Sequence, residues 1–102
     1  MTTRTDQDRI DSYAALVVRV GANVQPGQEV LVQCDVSHAP IARSVAEQAY
    51  AAGASRVRVE YIDPYVRRSA LRHAPEEALT RSARWELDRV DEFMEMGIAY
   101  IR

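Results

Sequence analysis

The sequence predicts an α/β domain: a small, mainly parallel sheet of three strands between layers of helix, in the order α-β-α-β-α-α-β. Three observations predict it. Apolar residues alternate along the chain between helical spacing and short runs, the pattern of strands joined by helical crossovers. Helical stretches close on glycine, at Gly21, Gly53 and Gly97, and Pro26-Gly27 opens the way into the first strand. The run Val30-Leu31-Val32 has no polar alternation, as in a strand covered on both faces.

Residues 6–20 read as an amphipathic helix, with Ile10, Tyr13, Ala14, Val17 and Val20 on one face and Thr5 as its cap. Gly21 is expected to end it in a left-handed conformation. Pro26-Gly27 fits the central positions of a type II turn, where proline presets the first φ and glycine supplies the positive second one. Glu29 to Cys34, EVLVQC, is the first strand. Ser37 is expected to cap the second helix, with Pro40 in its first turn and Ile41, Val45, Ala46, Ala49 and Tyr50 buried.

Arg56 to Ile62, RVRVEYI, is the second strand. Its alternation gives one apolar face and one amphiphilic face, as at a sheet edge or on a face covered by long side chains. Asp63 caps a third helix with Pro64 at its first position. Pro75-Glu76-Glu77 opens another helical segment, with acids at the favourable end of the dipole. Over residues 79–96 a stripe of Leu79, Ala83, Leu87, Val90 and Met94, widened by Trp85 and Phe93, predicts a helix that Gly97 stops. Trp85 and the tyrosines read as core. IAYIR, residues 98–102, is the third strand. Its free edge and the uncovered apolar surface predict self-association, as a homodimer or higher oligomer.

Composition excludes several functions. The chain has 102 residues, 47% hydrophobic and 27% charged, with net charge −2. That is one ordinary globular domain, with no basic face for nucleic acid. All its basic charge is arginine, interleaved with acids. No apolar stretch approaches the roughly 20 residues that span a membrane. The polar start MTTRTDQDR reads as no secretory signal, and the single cysteine, Cys34, fits a reduced, cytoplasmic setting.

Open parallel sheets bind ligands at the carboxyl ends of their strands. Those ends carry Cys34, Asp35, Ser37 and His38, then Asp63 and Tyr65. Asp35, His38 and Asp63 are therefore the candidate binding residues. Structural roles account for most of the set: Cys34 as a small buried apolar side chain, Ser37 and Asp63 as caps. His73 suits a helix C-terminus. The two histidines have no HxxxH spacing and the chain has no CxxC, so no metal-ligand or catalytic set is assigned. No phosphate-binding GxxxxGK[ST] or GxGxxG is present.

Tyr13-Ala14-x-Leu16 and Val20-Gly21-x-Asn23-Val24-x-Pro26-Gly27-Gln28 are followed by Ala49-Tyr50-x-x-Gly53-Ala54 and Val57-x-Val59-x-Tyr61-x-Asp63. Then come Arg67-Arg68 and His73-Ala74-Pro75-Glu76-Glu77-Ala78-Leu79. In order and spacing this series resembles the opening of the thermophilic-type metalloaminopeptidases, the aminopeptidase T and leucyl aminopeptidase family. The resemblance implies a dimeric, two-domain exopeptidase that removes N-terminal residues from peptides with two divalent metals of zinc or cobalt type. It implies that the Glu, His, Asp and Tyr metal ligands belong to a C-terminal catalytic domain, and none maps onto a position here. On that reading residues 1–102 are a non-catalytic N-terminal domain, with no cofactor of its own, that shapes the substrate cavity and contributes to assembly. The alternative is a stand-alone Rossmann-like binding or interaction module without catalysis.

Overall fold

The computed structural model describes residues 6–102. Thr5, the expected first cap, lies outside the described residues. The elements are α1 (Asp6–Leu16), a π-helical turn (Val17–Gly21), β1 (Glu29–Asp35), a 3₁₀ turn (Val36–His38), α2 (Ala39–Ala51) and β2 (Arg56–Ile62). They continue with α3 (Pro64–His73), α4 (Glu76–Thr80), α5 (Arg84–Met96) and β3 (Ala99–Ile101).

The three strands form one sheet in the order β2-β1-β3, all parallel. The expected α/β fold is present, with β1 central and β2 at an edge. Register pairs Val30 with Val57 on one side and with Ala99 on the other. Because side chains alternate across a strand, Val30 and Val32 pack with Ala14, Val18, Ala42, Val45 and Ala49 of the α1–α2 layer. Leu31 and Gln33 face the opposite way, toward Val90, Phe93 and Met94 of α5. The helices therefore lie on both faces, and the continuous apolar run of β1 has its predicted cause.

The first helix departs from its expected course. A 3.6-residue period carried through to Val20 would bury Val17 and Val20. Instead the π turn, with the Ala22 amide donating to Val17 carbonyl at 2.8 Å, resets the phase. Val18 turns inward and is fully buried, while Val20 is exposed. Gly21 is not the left-handed residue; that conformation falls on Asn23, φ 49°, which as an asparagine tolerates it. The Pro26-Gly27 turn forms as expected. Gly27 has φ 80°, and the Gln28 amide donates to the Gln25 carbonyl at 3.1 Å.

Two further expectations need correction. The helix over 79–96 is two helices, because Arg81 and Ala83 are extended. Thr80 turns its hydroxyl back onto the Glu76 carbonyl at 3.2 Å, a bond that competes with helix continuation. The apolar stripe could not override this, since it has little to pack on: Met94 is 77% exposed. Likewise Trp85 and the tyrosines are not core. Trp85 is 64% and Tyr65 74% exposed, and Tyr13, Tyr50, Tyr61 and Tyr100 are exposed too. Tyr50 works at the edge instead, its hydroxyl accepting from the Val57 amide of β2 at 2.9 Å.

The extensive packing is among β1, β2, β3, α1 and α2, and α3 and α4 stand out from it. The radius of gyration is 16.5 Å, against roughly 13 Å for a compact domain of this length. The Arg89–Glu60 pair fastens α5 to the sheet. Arg89 Nη2 lies 2.6 Å and 2.8 Å from the two carboxylate oxygens of Glu60, and its guanidinium sits 5.1 Å from the centre of the Phe93 ring.

Ser44 is the buried polar residue of α2. Its hydroxyl donates to Asp11 Oδ1 of α1 at 2.5 Å, and Gln7 Nε2 donates to the same oxygen at 2.8 Å. These two bonds, Ser44's above all, hold the Asp11 carboxyl below its ordinary value. A carboxyl depressed in the folded state contributes stability above its unfolded pKa, about 3.9, and loses it as pH falls through the folded value. Ser44→Ala is therefore expected to destabilise the domain at neutral pH and to flatten the acid limb of its stability curve. Melting temperatures of both forms from about pH 2 to 6 check this; parallel curves would refute it.

Candidate functional site

The crossovers that leave β1 and its neighbour β2 go to opposite faces of the sheet, and the crevice outside such strand ends is where open parallel sheets take their ligands. Asp35 ends the strand in an extended conformation, and its Oδ1 accepts from both the amide and the hydroxyl of Ser37, each at 2.8 Å. Asp35, not Ser37, is thus the capping residue, and it caps the short 3₁₀ turn. α2 itself begins after His38, whose side chain makes no capping bond. A strand that ends on Asp with Ser two residues on is free to close this local turn before the helix starts, which the simple Ser-then-proline reading did not anticipate.

These bonds set the electrostatics. The Ser37 amide, then its hydroxyl, and more weakly the nearby His38 hold the Asp35 carboxyl below the usual carboxylate range. Burial, and then the Asp35 charge, push the Cys34 thiol up. Cys34 is accordingly a protonated thiol at neutral pH, without the lowered pKa that activates a nucleophile. The structure gives it the apolar role expected of it, packed against the main core.

A cleft of about 360 Å³ opens here, lined by Gln33, Cys34, Asp35, His38, Ile62, Pro64, Arg67 and Arg102. It brings Asp35 and His38 together. Asp63 does not line it; its Oδ1 caps α3 by accepting from the Tyr65 amide at 2.9 Å. The two arginines were missed. Arg67 stands four residues after the Asp63 cap, in the first turn of a helix that begins at a strand's carboxyl end. Arg102 directly follows β3. Position relative to strand ends was the available signal.

A second cleft of about 230 Å³ adjoins the first and is mostly apolar, lined by residues that include Tyr13, Val17, Ile41, Val45 and Ile101. Gln33, Cys34, His38 and Arg102 line both clefts. Among the described residues no group of three or more His, Cys, Asp or Glu side chains could hold a metal ion. Asp35 and His38 supply two donors, and the first is already engaged by Ser37. Among the described residues no helix is long and apolar enough to cross a membrane.

A family model described as thermophilic metalloprotease (M29) matches residues 6–102. Aminopeptidase 2 of Geobacillus stearothermophilus is 36% identical over 95 residues, which are 93% of this chain and 23% of that protein. Aminopeptidase T of Thermus thermophilus is 38% identical over 76 residues, 74% of this chain and 19% of that one. The solved structure of wild-type AmpT from Thermus thermophilus superposes with a TM-score of 0.72 at 34% identity, over 82% of this chain and 21% of its own. The chain spans about a fifth to a quarter of the length of the curated relatives it matches.

Proposed function

The chain belongs to the thermophilic metalloprotease family M29, and from that premise we propose that it is the non-catalytic N-terminal α/β domain of an aminopeptidase that removes N-terminal residues from peptides. The observation that carries this reading is the match over residues 6–102, joined to relatives named as aminopeptidases of which the chain covers 23% or less. Among the described residues the strand ends do not fit a metal pair: Asp35 and His38 converge beside the protonated Cys34, and no group of three or more His, Cys, Asp or Glu side chains could hold a metal ion. The divalent metals, of zinc or cobalt type, are held by the remaining three quarters or more of the protein. No chemical step is assigned to residues 6–102.

Two roles are left for the domain on this reading, to shape the substrate cavity and to support assembly as a homodimer in the cytoplasm. The second is supported by Tyr65, Val66 and Leu71 of α3 and by Trp85, Leu87 and Met94 of α5, all exposed. Apolar surface of that extent marks contact with further protein.

The whole protein is expected to hydrolyse leucine p-nitroanilide with added zinc or cobalt and to lose that activity to a chelator. Residues 1–102 alone are expected to retain no stoichiometric metal after dialysis and to give no turnover. Turnover by the 102-residue chain that disappears in His38→Ala would overturn the assignment and move the active site into this domain.

A further inference from the structure

The two clefts at the carboxyl end of β1 form one crevice with unlike halves. Arg67 and Arg102 line the larger half. Among the described residues neither of these side chains has an ion-pair or hydrogen-bond partner. Among the described residues Asp35 is the one side-chain carboxylate lining that half; its carboxyl is held below the usual range, and it spends Oδ1 on Ser37. Two guanidinium groups and one carboxylate among the lining side chains favour an anionic ligand such as a carboxylate. Arginine's planar fork suits a carboxylate in two-point contact. The smaller half offers Val17, Ile41 and Ile101 to an apolar group.

The volumes limit what enters. At about 360 Å³ and 230 Å³, the halves sit at or below the low end of ligand pockets, about 300–1,000 Å³. That is room for one or two residues, not for a long peptide or a folded partner. A group bearing both a carboxylate and an apolar side chain is the end of a peptide.

We propose that this crevice is a subsite for the apolar carboxyl-terminal residue of a short peptide, with Arg67 and Arg102 on the carboxylate and Val17, Ile41 and Ile101 around the side chain. The proposal rests on the aminopeptidase reading of the whole protein and gives its substrate a length limit. A short peptide whose free amino end reaches the catalytic metals would be held here by its other end, and longer or amidated peptides would lose that contact.

The test compares leucyl-leucine, which has a free carboxylate, with leucyl-leucine amide, which lacks it, on the whole protein. The expected result is a KM for the free peptide about tenfold lower than for the amide, the size of effect expected from one charge-assisted contact. Arg67→Gln and Arg102→Gln are each expected to remove most of that preference, while KM for the amide moves far less. Arg67 lies on the exposed surface of α3, so its replacement leaves the fold intact. Equal KM values for both peptides in the wild type, or a preference that survives both substitutions, would overturn the subsite. Failure to hydrolyse either peptide or leucine p-nitroanilide would instead remove the aminopeptidase reading. The subsite is then decided by NMR titration of the whole protein with leucyl-leucine. Shifts at the Arg67 and Arg102 guanidinium signals and the Ile101 methyls, absent with the amide, would support it. No shifts would overturn it.

Discussion

Leu31→Ala is expected to lower the stability of the domain by about 2–5 kcal/mol, the range for removing a buried leucine from a core that relaxes only partly. Leu31 is 1% exposed and heads the fully buried large side chains. It stands in the central strand, paired with Arg58 on one side and Tyr100 on the other, so the sheet cannot close around the space left. On its own face it lines, with Val90, Phe93, Met94 and Ile98, a cavity of about 410 Å³ under α5. Truncation would enlarge that cavity and remove the main apolar surface beneath α5.

The opposite core cannot compensate, because many of its members are small: Ala14, Ala42, Ala49, Ala54 and Ala99. A domain of this size has a total stability of about 5–15 kcal/mol, so the loss takes a large part of it. Urea unfolding should show a lower midpoint with an unchanged slope. A change below about 1 kcal/mol would mean that α5 does not depend on Leu31 for its seat.

Much of the fold was legible because local chemistry and burial agreed. RVRVEYI has the bounds of β2 and sits at the edge its alternation indicated. Pro26-Gly27 makes its turn, and Asp63 and Pro64 open α3. Legibility failed where the pattern relied on an assumption about phase or packing. Val18 is buried because a π turn, with no sequence mark of its own, rotates the chain after Leu16. Leu79, Leu87 and Met94 keep helical spacing, but spacing alone does not supply a surface to bury against, and Thr80 to Ala83 breaks the helix.

The candidate site divides the same way. Asp35 and His38 follow a strand directly, so the topology rule located them. Arg67 and Arg102 come from the ends of the two flanking strands, and only the order β2-β1-β3 brings them to one crevice. That order is a long-range fact which no window of sequence carries.

Gly53→Ala is the second large effect expected, a loss of about 1–3 kcal/mol from backbone strain, with further loss from crowding. Gly53 follows α2 with φ 100°, a region that side chains disfavour. A Cβ there would lie 3.1 Å from Cα and 3.2 Å from Cβ of Pro26. Pro26 cannot yield easily, because its turn is tied to the same loop by two backbone bonds. The Gly27 amide donates to the Gly53 carbonyl at 2.8 Å, and the Ser55 amide to the Gln28 carbonyl at 2.9 Å. These bonds align the entries of β1 and β2 and so fix the register that starts with Glu29 opposite Arg56. Gly27→Ala is the matched control. It shares the positive φ, but a Cβ there meets nothing within 4 Å, so it should lose only the strain, about 1–2 kcal/mol. Denaturant midpoints for the two variants, measured side by side, separate crowding from strain. If Gly53→Ala is no more destabilising than Gly27→Ala, the close approach of the two loops is not what holds the strands in register.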